Sequence, residues 1–254
     1  MAYPVLPRLA DPSEPLASDM RSHGALVLKA AKKVGRARSA KSALRTDYGR
    51  TKDQQAVRDS ILWAASEEFS QRGYYGARVA DIATKSHFSK RMIYYYYKGK
   101  RTLYQAVLLE AYRFIRRAEI GLQLEGCTPR AALELLTRNT FDYHANNEAF
   151  VRLVVDENMH GGRNIGDIQQ IRSVNASVID QLADICARGR LDGSLRSDLD
   201  PLQLHLSISS LCFYAVANRH TVAAIFDFDV TSEVARQLRR NEAVRMVLAY
   251  ATPP

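Results

Sequence analysis

Hydrophobic residues recur at helical spacing through most of the chain, and their pattern is the first guide to its fold. Four of them lie four positions apart, on one face of a helix that begins near Asp53: Val57, Ile61, Ala65 and Phe69. Gly73 suits the left-handed conformation that ends a helix, so this first helix is predicted to stop there. No segment alternates apolar and polar residues over the length of a strand. The pattern therefore predicts an all-α fold.

Two short helices and a longer one are predicted next. Val79, Ile82 and Ala83 form the apolar face of a second helix that ends at Lys85, before a polar break. Ser89 can cap a third helix, which carries two cations and four consecutive tyrosines. A fourth helix is expected from 100 to about 117. Two short helices joined by a tight turn, with cations and hydroxyl groups on the second, are typical of proteins that read the DNA major groove.

The rest of the chain is also predicted to be helical. They are predicted at about 129–146, 148–160, 164–189, 201–226 and 231–250. Two of these helices have a proline in the first turn, where its missing N–H costs nothing: Pro129 and Pro201. The helix at 201–226 is apolar on nearly all sides, so we expect it at the centre or at an interface.

Composition narrows the class of protein. Apolar residues make up 46% of the 254 residues, enough for a real core. No apolar run approaches the roughly 18 residues of a membrane span, and the N-terminus lacks the features of a secretory signal. The three cysteines lie far apart, which suits a reducing cytoplasm. We expect a cytoplasmic, nucleoid-associated protein with no membrane partner; translation can start at Met1 or Met20.

The net charge of +9 is concentrated at the front of the chain. Residues 1–52 hold eleven Lys or Arg and four Asp or Glu, residues 53–101 hold nine and five, and residues 102–254 hold sixteen and eighteen. This asymmetry predicts a polyanion-binding front end on a nearly neutral body. Residues 1–52 are interpreted as a flexible basic arm that binds phosphate or enters a minor groove, with a merely solubilising tail as the alternative.

Residues 53–110 resemble the N-terminal domain of TetR-type (tetracycline-repressor-like) regulators. The resemblance needs no gap and is carried by these residues: Ile61-Leu62, Ala64-Ala65, Phe69, Gly73-Tyr74, Asp81-Ile82-Ala83, Ser89, Ile93 to Tyr97, Lys100 and Leu103. The chain departs from the family pattern at three places. Arg91 stands where a small residue is usual, Lys98-Gly99 where Pro-Ser is usual, and Ile93 to Tyr97 where Leu-Tyr-Tyr-His-Phe is common. These departures bear on base preference.

The third helix is predicted to enter the major groove with its N-terminus first. The residues expected to face base edges are Lys90, Arg91 and Met92, and Arg91 can make a bidentate contact with guanine. The residues expected to hold the phosphate backbone are Arg78, Ser89, Tyr94, Tyr95, Tyr96 and Lys100. Ile93 and Tyr97 are expected in the core. The alternative is that the tyrosines only pack and the cations form a solvated face.

The resemblance also implies a regulatory half. It divides the chain into the arm (1–52), a helix-turn-helix domain (53–100) and a ligand-binding and dimerisation domain (101–254). It implies a homodimer built from helices at about 201–226 and 231–250, a palindromic DNA operator, and an unidentified small-molecule effector that releases the DNA. Residues with the chemistry of a partly apolar pocket are Tyr112, Tyr143, His144, Asn158, Phe213, Tyr214 and Asn218. No catalytic residue, cofactor or metal is predicted.

Two other functions stay open. The basic arm alone suits a non-specific nucleoid-type DNA binder. The Glu157-x-x-His160 spacing matches one carboxylate–histidine pair of a metal-dependent helical enzyme, although a second such pair is absent from the sequence.

Overall fold

The computed structural model describes the backbone of residues 47–253 and the side chains of residues 53–253. Most of the predicted basic arm lies outside these residues. Within them the chain forms ten α-helices, two 3-10 turns (Leu124–Gly126 and Ile165–Asp167) and no strand. The helices are α1 (Asp47–Gly76), α2 (Val79–Ser86), α3 (Lys90–Tyr97), α4 (Lys100–Ile120), α5 (Pro129–Asn146), α6 (Glu148–Met159), α7 (Gln169–Asp192), α8 (Pro201–Ala217), α9 (Arg219–Phe226) and α10 (Glu233–Ala251). The predicted all-α fold is confirmed.

The first four helices surround an apolar core at the front of the described chain. Its centre is formed by fully buried side chains from each helix: Ile61, Phe69, Ile82, Ile93 and Leu103. Burying one such side chain contributes about 1.5–3 kcal/mol. The Ser60 hydroxyl donates to Ser86 O at 3.3 Å and ties α1 to the end of α2. The face of α1 that was predicted from the spacing of its apolar residues is therefore the face that packs into this core.

A second core lies between α5, α7, α8 and α10. It includes Leu133, Leu136, Leu182, Leu204 and Ala243, all nearly inaccessible to solvent. The side chains of Thr128, Asp200 and Ser232 cap α5, α8 and α10, where they accept hydrogen bonds from Ala131 N, Gln203 N and Ala235 N. No helix in residues 47–253 is long and apolar enough to cross a membrane.

Two helices of this half differ from the prediction. The predicted helix at 164–189 is a 3-10 turn followed by α7, which runs on to Asp192 and ends at Gly193 with φ 73°. Gly189 does not end the helix. It lies inside α7, where a side chain would be 2.4 Å from Leu195 Cγ, so its role is to let Leu195 approach.

The predicted helix at 201–226 is broken at Asn218. Its side-chain amide donates to Tyr214 O at 3.2 Å, and its own N–H donates to the same carbonyl at 3.0 Å. Asn side chains compete with the helical ladder in this way, and α8 ends at Ala217 while α9 starts at Arg219. The apolar pattern continues across the break and gave no sign of it.

The end of α1 contacts α6 and so connects the two halves. We call this contact, formed by Gly73, Tyr74, Tyr104 and Asp156, the joint. Gly73 has φ 66° and ψ 175°, outside the helical region, so the regular helix breaks at the glycine predicted to end it, and one further short turn follows to Gly76. In the kink, the Asp156 carboxylate on α6 accepts hydrogen bonds from Tyr74 N at 2.8 Å and from the Tyr104 hydroxyl at 3.2 Å. A Cβ atom at Gly73 would lie 2.4 Å from Asp156 Oδ1. A side chain at this position would therefore disturb the joint.

Candidate functional site

The turn between α2 and α3 sets the direction of the predicted reading helix. His87 adopts the left-handed conformation (φ 59°) at the end of α2, and its N–H donates to Thr84 O. Ser89 then caps α3, accepting a hydrogen bond from Met92 N at 3.3 Å. The cap predicted at Ser89 is confirmed. The short turn leaves the first turn of α3 at the surface, where its free N–H groups suit an anion.

Three cations around this turn have no partner in the described part of the protein. Arg78, Lys90 and Arg91 are all exposed, and none forms a hydrogen bond or ion pair with residues 53–253. By contrast, Lys85 on the neighbouring helix is held 2.6 Å from the buried carboxylate of Glu68. The surface around α3 therefore presents unneutralised positive charge, as a phosphate-binding surface requires.

The four tyrosines of α3 divide between two faces. Tyr94 and Tyr95 are 48% and 64% exposed, so their hydroxyl groups face solvent. Tyr96 is half-buried against the front core, with the Arg58 guanidinium 5.3 Å from its ring centre. Tyr97 donates from its hydroxyl to Arg58 O at 3.0 Å, and burial raises its pKa to about 12. Tyr97 packs as predicted, whereas only part of Tyr96 is free for the predicted phosphate contact.

Met92 and Lys100 are less available for contact with DNA than predicted. Met92 is half-buried against the front core, so its side chain is only partly available to a base edge. The Lys100 ammonium group donates to Tyr75 O at 3.3 Å and lies 5.0 Å from the centre of the Tyr74 ring, and burial lowers its pKa. Lys100 therefore stabilises the joint beside Gly73. Its phosphate contact stays a prediction.

Four predicted pocket residues meet around Phe150, which the sequence did not indicate. The rings of Tyr112, Tyr143 and His144 lie 5.4, 5.7 and 5.7 Å from the Phe150 ring, measured between ring centres. Phe213 lies 5.7 Å from His144 in the same way. These side chains come from α4, α5, α6 and α8, so the structure brings together residues up to a hundred positions apart.

The other three pocket candidates have no ring contact with Phe150. Asn158 is exposed and lines a cavity of about 160 Å³ whose wall also includes Tyr112. Tyr214 is 57% exposed on α8, and Asn218 is the residue at which that helix ends. The structure does not place these three residues with Phe150, because Tyr214 points to solvent and the Asn158 and Asn218 amides donate to carbonyls one turn earlier.

Three charged or titratable residues interact with this group, and two of them, Arg116 and Glu119, were missed. Arg116 and Glu119 are buried on α4, with Nη1 and Oε2 2.7 Å apart, and His205 projects from α8. Burial raises the pKa of Glu119 to about 7, and lowers the pKa of both His144 and His205 to about 4. A signal existed in the sequence, since Glu119 continues the i, i+4, i+7, i+11 face that starts at Leu108. We call the following residues the central cluster: Tyr112, Arg116, Glu119, Tyr143, His144, Phe150, His205 and Phe213.

The Glu157–His160 pair has structural roles. The Glu157 carboxylate accepts hydrogen bonds from Asn164 N at 2.6 Å, Asn164 Nδ2 at 3.1 Å and Ile165 N at 2.9 Å, which fixes the turn after α6. His160 donates from Nδ1 to Asp156 O at 2.7 Å. No group of three or more His, Cys, Asp or Glu side chains among residues 53–253 is arranged to hold a metal ion.

Comparison with known proteins assigns both halves of the chain. Residues 61–107 match the family model described as bacterial regulatory proteins of the tetR family. Residues 129–247 match the model described as the tetracyclin repressor-like C-terminal domain. The two models cover the reading helix and the central cluster respectively, apart from the α4 residues between them.

Similar proteins agree with this assignment. The transcriptional repressor NicS of Pseudomonas putida is 32% identical over 187 residues, which are 74% of this chain and 88% of NicS. SCO4942 of Streptomyces coelicolor, a candidate transcriptional regulator of known structure, is 26% identical with a TM-score of 0.60 over 78% of this chain and 99% of its own. AibR, solved with isovaleryl coenzyme A and operator DNA, shares the fold at 15% identity, with a TM-score of 0.58 over 75% of this chain and 97% of its own. With α3 presented at the surface and both halves matched in order, the chain belongs to the TetR family of DNA-binding transcriptional regulators.

Proposed function

We propose that the chain is a repressor that binds a palindromic operator as a homodimer and leaves the DNA when a small molecule binds its C-terminal half. The observation that carries this proposal is the exposed first turn of α3, capped by Ser89, with unpaired cations at Lys90 and Arg91. Under this proposal residues 53–100 read DNA and residues 101–254 regulate that reading. The chain needs no catalytic step, cofactor or metal for this function.

The reading helix supplies two kinds of contact. We expect Lys90 and Arg91 to face base edges, and the planar fork of Arg91 matches guanine O6 and N7. We expect the exposed residues Tyr94, Tyr95 and Arg78 to contact phosphate oxygens. Base contacts fix the sequence that is preferred, and phosphate contacts fix the register.

We propose that the chain binds DNA as a homodimer. A second copy presents a second α3, and two reading helices about 34–36 Å apart fit successive major grooves of a palindrome. Large apolar side chains exposed on α8 and α10 support pairing through the predicted helices: Leu202, Leu206, Leu238, Met246 and Tyr250. Two such faces would bury one another in a four-helix arrangement.

Ligand response is supported by the path of α4. This helix begins at Lys100, beside the kink of α1, and reaches Glu119 in the central cluster. Its 21 residues span about 30 Å at the helical rise of 1.5 Å per residue. A ligand that prefers a different position of α4 shifts the population toward a spacing of reading helices that no longer fits the operator. The complex of AibR with an acyl-coenzyme A and operator DNA shows that one similar fold holds both kinds of partner.

A gel-shift assay against the DNA upstream of the protein's own gene tests the proposal. Salt and unrelated competitor DNA are varied together, because a specific complex survives competitor that removes a non-specific one. Retention of one site in excess competitor is the expected result. Equal binding to every duplex would favour the nucleoid-type function, and no shift at any salt concentration would contradict both.

A further inference from the structure

The loop that follows α6 carries an exposed cation next to the DNA-binding half. Arg163 is exposed, and its side chain forms no hydrogen bond or ion pair with residues 53–253. Its backbone oxygen accepts a hydrogen bond from Nη2 of Arg101, in the first turn of α4, at 3.2 Å. Asn164 O likewise accepts a hydrogen bond from Gln105 Nε2 at 3.2 Å. The loop is therefore fastened to the start of the helix that directly follows the reading helix.

The same loop also contacts the end of α1. The ring centres of His160 and Tyr75 are 4.7 Å apart, and Tyr75 O accepts a hydrogen bond from the Lys100 ammonium group at 3.3 Å. Arg78 follows Tyr75 by three residues, so their Cα atoms are at most about 11 Å apart. Arg78 and Lys100 are the two cations outside α3 that are expected to hold the phosphate backbone. The loop therefore lies beside both of them.

Hydrogen bonds and glycine conformations fix the shape of this loop. The buried Glu157 carboxylate accepts hydrogen bonds from Asn164 N at 2.6 Å and from Asn164 Nδ2 at 3.1 Å. Gly161 and Gly162 have φ 69° and 68°, a left-handed conformation that favours glycine. The backbone on both sides of Arg163 is thus held in place while its side chain faces solvent. The fold therefore specifies where this cation is presented.

The carboxylates of segment 156–167 leave the charge of Arg163 unneutralised. Asp167 pairs with Arg101 at 2.5 Å. Asp156 accepts a hydrogen bond from Tyr74 N at 2.8 Å, and Glu157 accepts hydrogen bonds from the loop itself. Each of these carboxylates is therefore already engaged. A guanidinium group that is left free at the surface contributes little to folding and is available to a polyanion.

We propose that Arg163 contacts a phosphate of bound DNA and so extends the DNA-binding surface into the second half of the chain. A guanidinium group can donate two hydrogen bonds to one phosphate, and such a contact carries no base preference. Arg101 and Glu157 are positioning residues for this contact, because they hold the loop. The inference deepens the proposed function: it rests on DNA binding, but not on a palindrome or an effector.

The salt dependence of DNA affinity tests the proposal. Each phosphate that a cation neutralises adds about 0.9 to the slope of log affinity against log salt concentration. Arg163→Gln removes one charge from each subunit, so the slope of a dimer should become shallower by about two. The deficit of the variant should then shrink about tenfold between roughly 50 and 200 mM salt. Fluorescence anisotropy with the full chain measures both slopes, and an unchanged slope would overturn the proposal.

Two further variants show whether position or net charge is responsible. Arg163→Lys keeps the charge and should retain the native slope. Arg130→Gln is the matched control, because Arg130 is also exposed and has no side-chain partner among the described residues. It lies at the start of α5, after the far end of α4, and its loss should leave the slope unchanged. Equal changes in Arg130→Gln and Arg163→Gln would assign the effect to net charge and contradict the proposal.

Two duplexes separate this inference from the proposed function. One carries the DNA upstream of the protein's own gene, and the other has a random sequence. Arg163→Gln should weaken binding to both by the same factor, because a phosphate contact carries no sequence information. If neither duplex is preferred, the repressor function fails while the salt slope still reports on Arg163. A loss confined to the preferred duplex would make Arg163 a base contact and overturn the proposal, and absence of binding to any duplex would overturn both.

Discussion

The reading helix and the central cluster handle charge in opposite ways. On α3, Lys90 and Arg91 face solvent and form no ion pair within the described residues. In the C-terminal half, most arginines pair with a carboxylate, and Arg116 does so inside the protein. Free surface charge contributes little to folding and is available to a polyanion. Buried charge is costly and is tolerated where a ligand or a specific arrangement requires it.

This difference suggests that the two halves can be disabled separately. Mutations on α3 should abolish recognition without unfolding the chain, whereas mutations in the cluster should affect stability and ligand response together. A substitution at Gly73 or Asp156 should affect both halves, since α1 and α6 are held together there.

The largest effect is expected from Arg116→Ala. Removing one member of a buried ion pair leaves Glu119 without its partner, which typically costs about 3–5 kcal/mol. Arg91→Ala, at the surface, should change the free energy of unfolding by less than about 0.5 kcal/mol. Urea unfolding of both variants measures the contrast. Similar destabilisation of the two would show that the difference between the halves is not one of burial.

Substitution of Gly73 should cause the second-largest loss in the free energy of unfolding. Gly73→Ala forces a side chain into a positive φ and against Asp156 Oδ1, so we expect a loss of about 1–3 kcal/mol from strain and more if the hydrogen bond to Tyr74 N is lost. Gly126→Ala is the control, because a Cβ atom there meets nothing within 4 Å. Equal unfolding free energies for these two variants would contradict the account of the joint.

The pH dependence of stability probes the cluster directly. The pKa of His144 is lowered from 6.5 to about 4 in the folded state. At pH values between these two, the unfolded chain therefore binds a proton at His144 and the folded chain does not. Stability should therefore fall as pH falls from 6.5 to 4, by up to about 3 kcal/mol from this residue.

Glu119 acts in the opposite direction. Its pKa is raised from 4.5 to about 7, so it contributes stability that grows as pH falls through this range. Urea unfolding at several pH values should show a steeper acid loss in Glu119→Gln than in the native protein, and a shallower one in His144→Asn. Parallel curves for all three proteins would mean that neither group titrates as its burial implies.

DNA binding distinguishes the roles on the reading helix. Arg91→Ala should lose about 1–3 kcal/mol of discrimination at one base position, because the bidentate contact is gone. Tyr94→Phe removes one hydroxyl and should weaken binding by about 0.5–1.5 kcal/mol, evenly across sequences. Fluorescence anisotropy with matched and mismatched duplexes measures both. Uniform losses from the two variants would contradict the division into base and phosphate contacts.

The fold was largely predictable, because apolar spacing and helix caps are local features. The face of Val57, Ile61, Ala65 and Phe69 and the cap at Ser89 are confirmed in the structure. The predicted break of the first helix at Gly73 is also confirmed, and Asp156 from another helix accepts a hydrogen bond from the next backbone N–H. The local pattern missed the break at Asn218, because the apolar spacing continues across it.

The candidate sites were less predictable. Exposure of Lys90 and Arg91 follows from an amphipathic helix and was expected. Burial of Arg116 and Glu119 was missed, because charged residues three apart on a helix usually form a solvated pair. Phe150 was missed because its proximity to Tyr143 depends on the packing of separate helices, which the sequence alone does not reveal.

Selection of duplexes from a random-sequence pool, followed by sequencing, tests the central claim most directly. The full chain should enrich an inverted repeat whose half-sites are about one helical turn apart. Arg91→Ala, folded as judged by its unfolding curve, should lose preference at one position in each half-site and keep the rest. Enrichment of no motif by the native chain, or an identical motif for Arg91→Ala, would contradict the assignment of α3 as the helix that reads the operator.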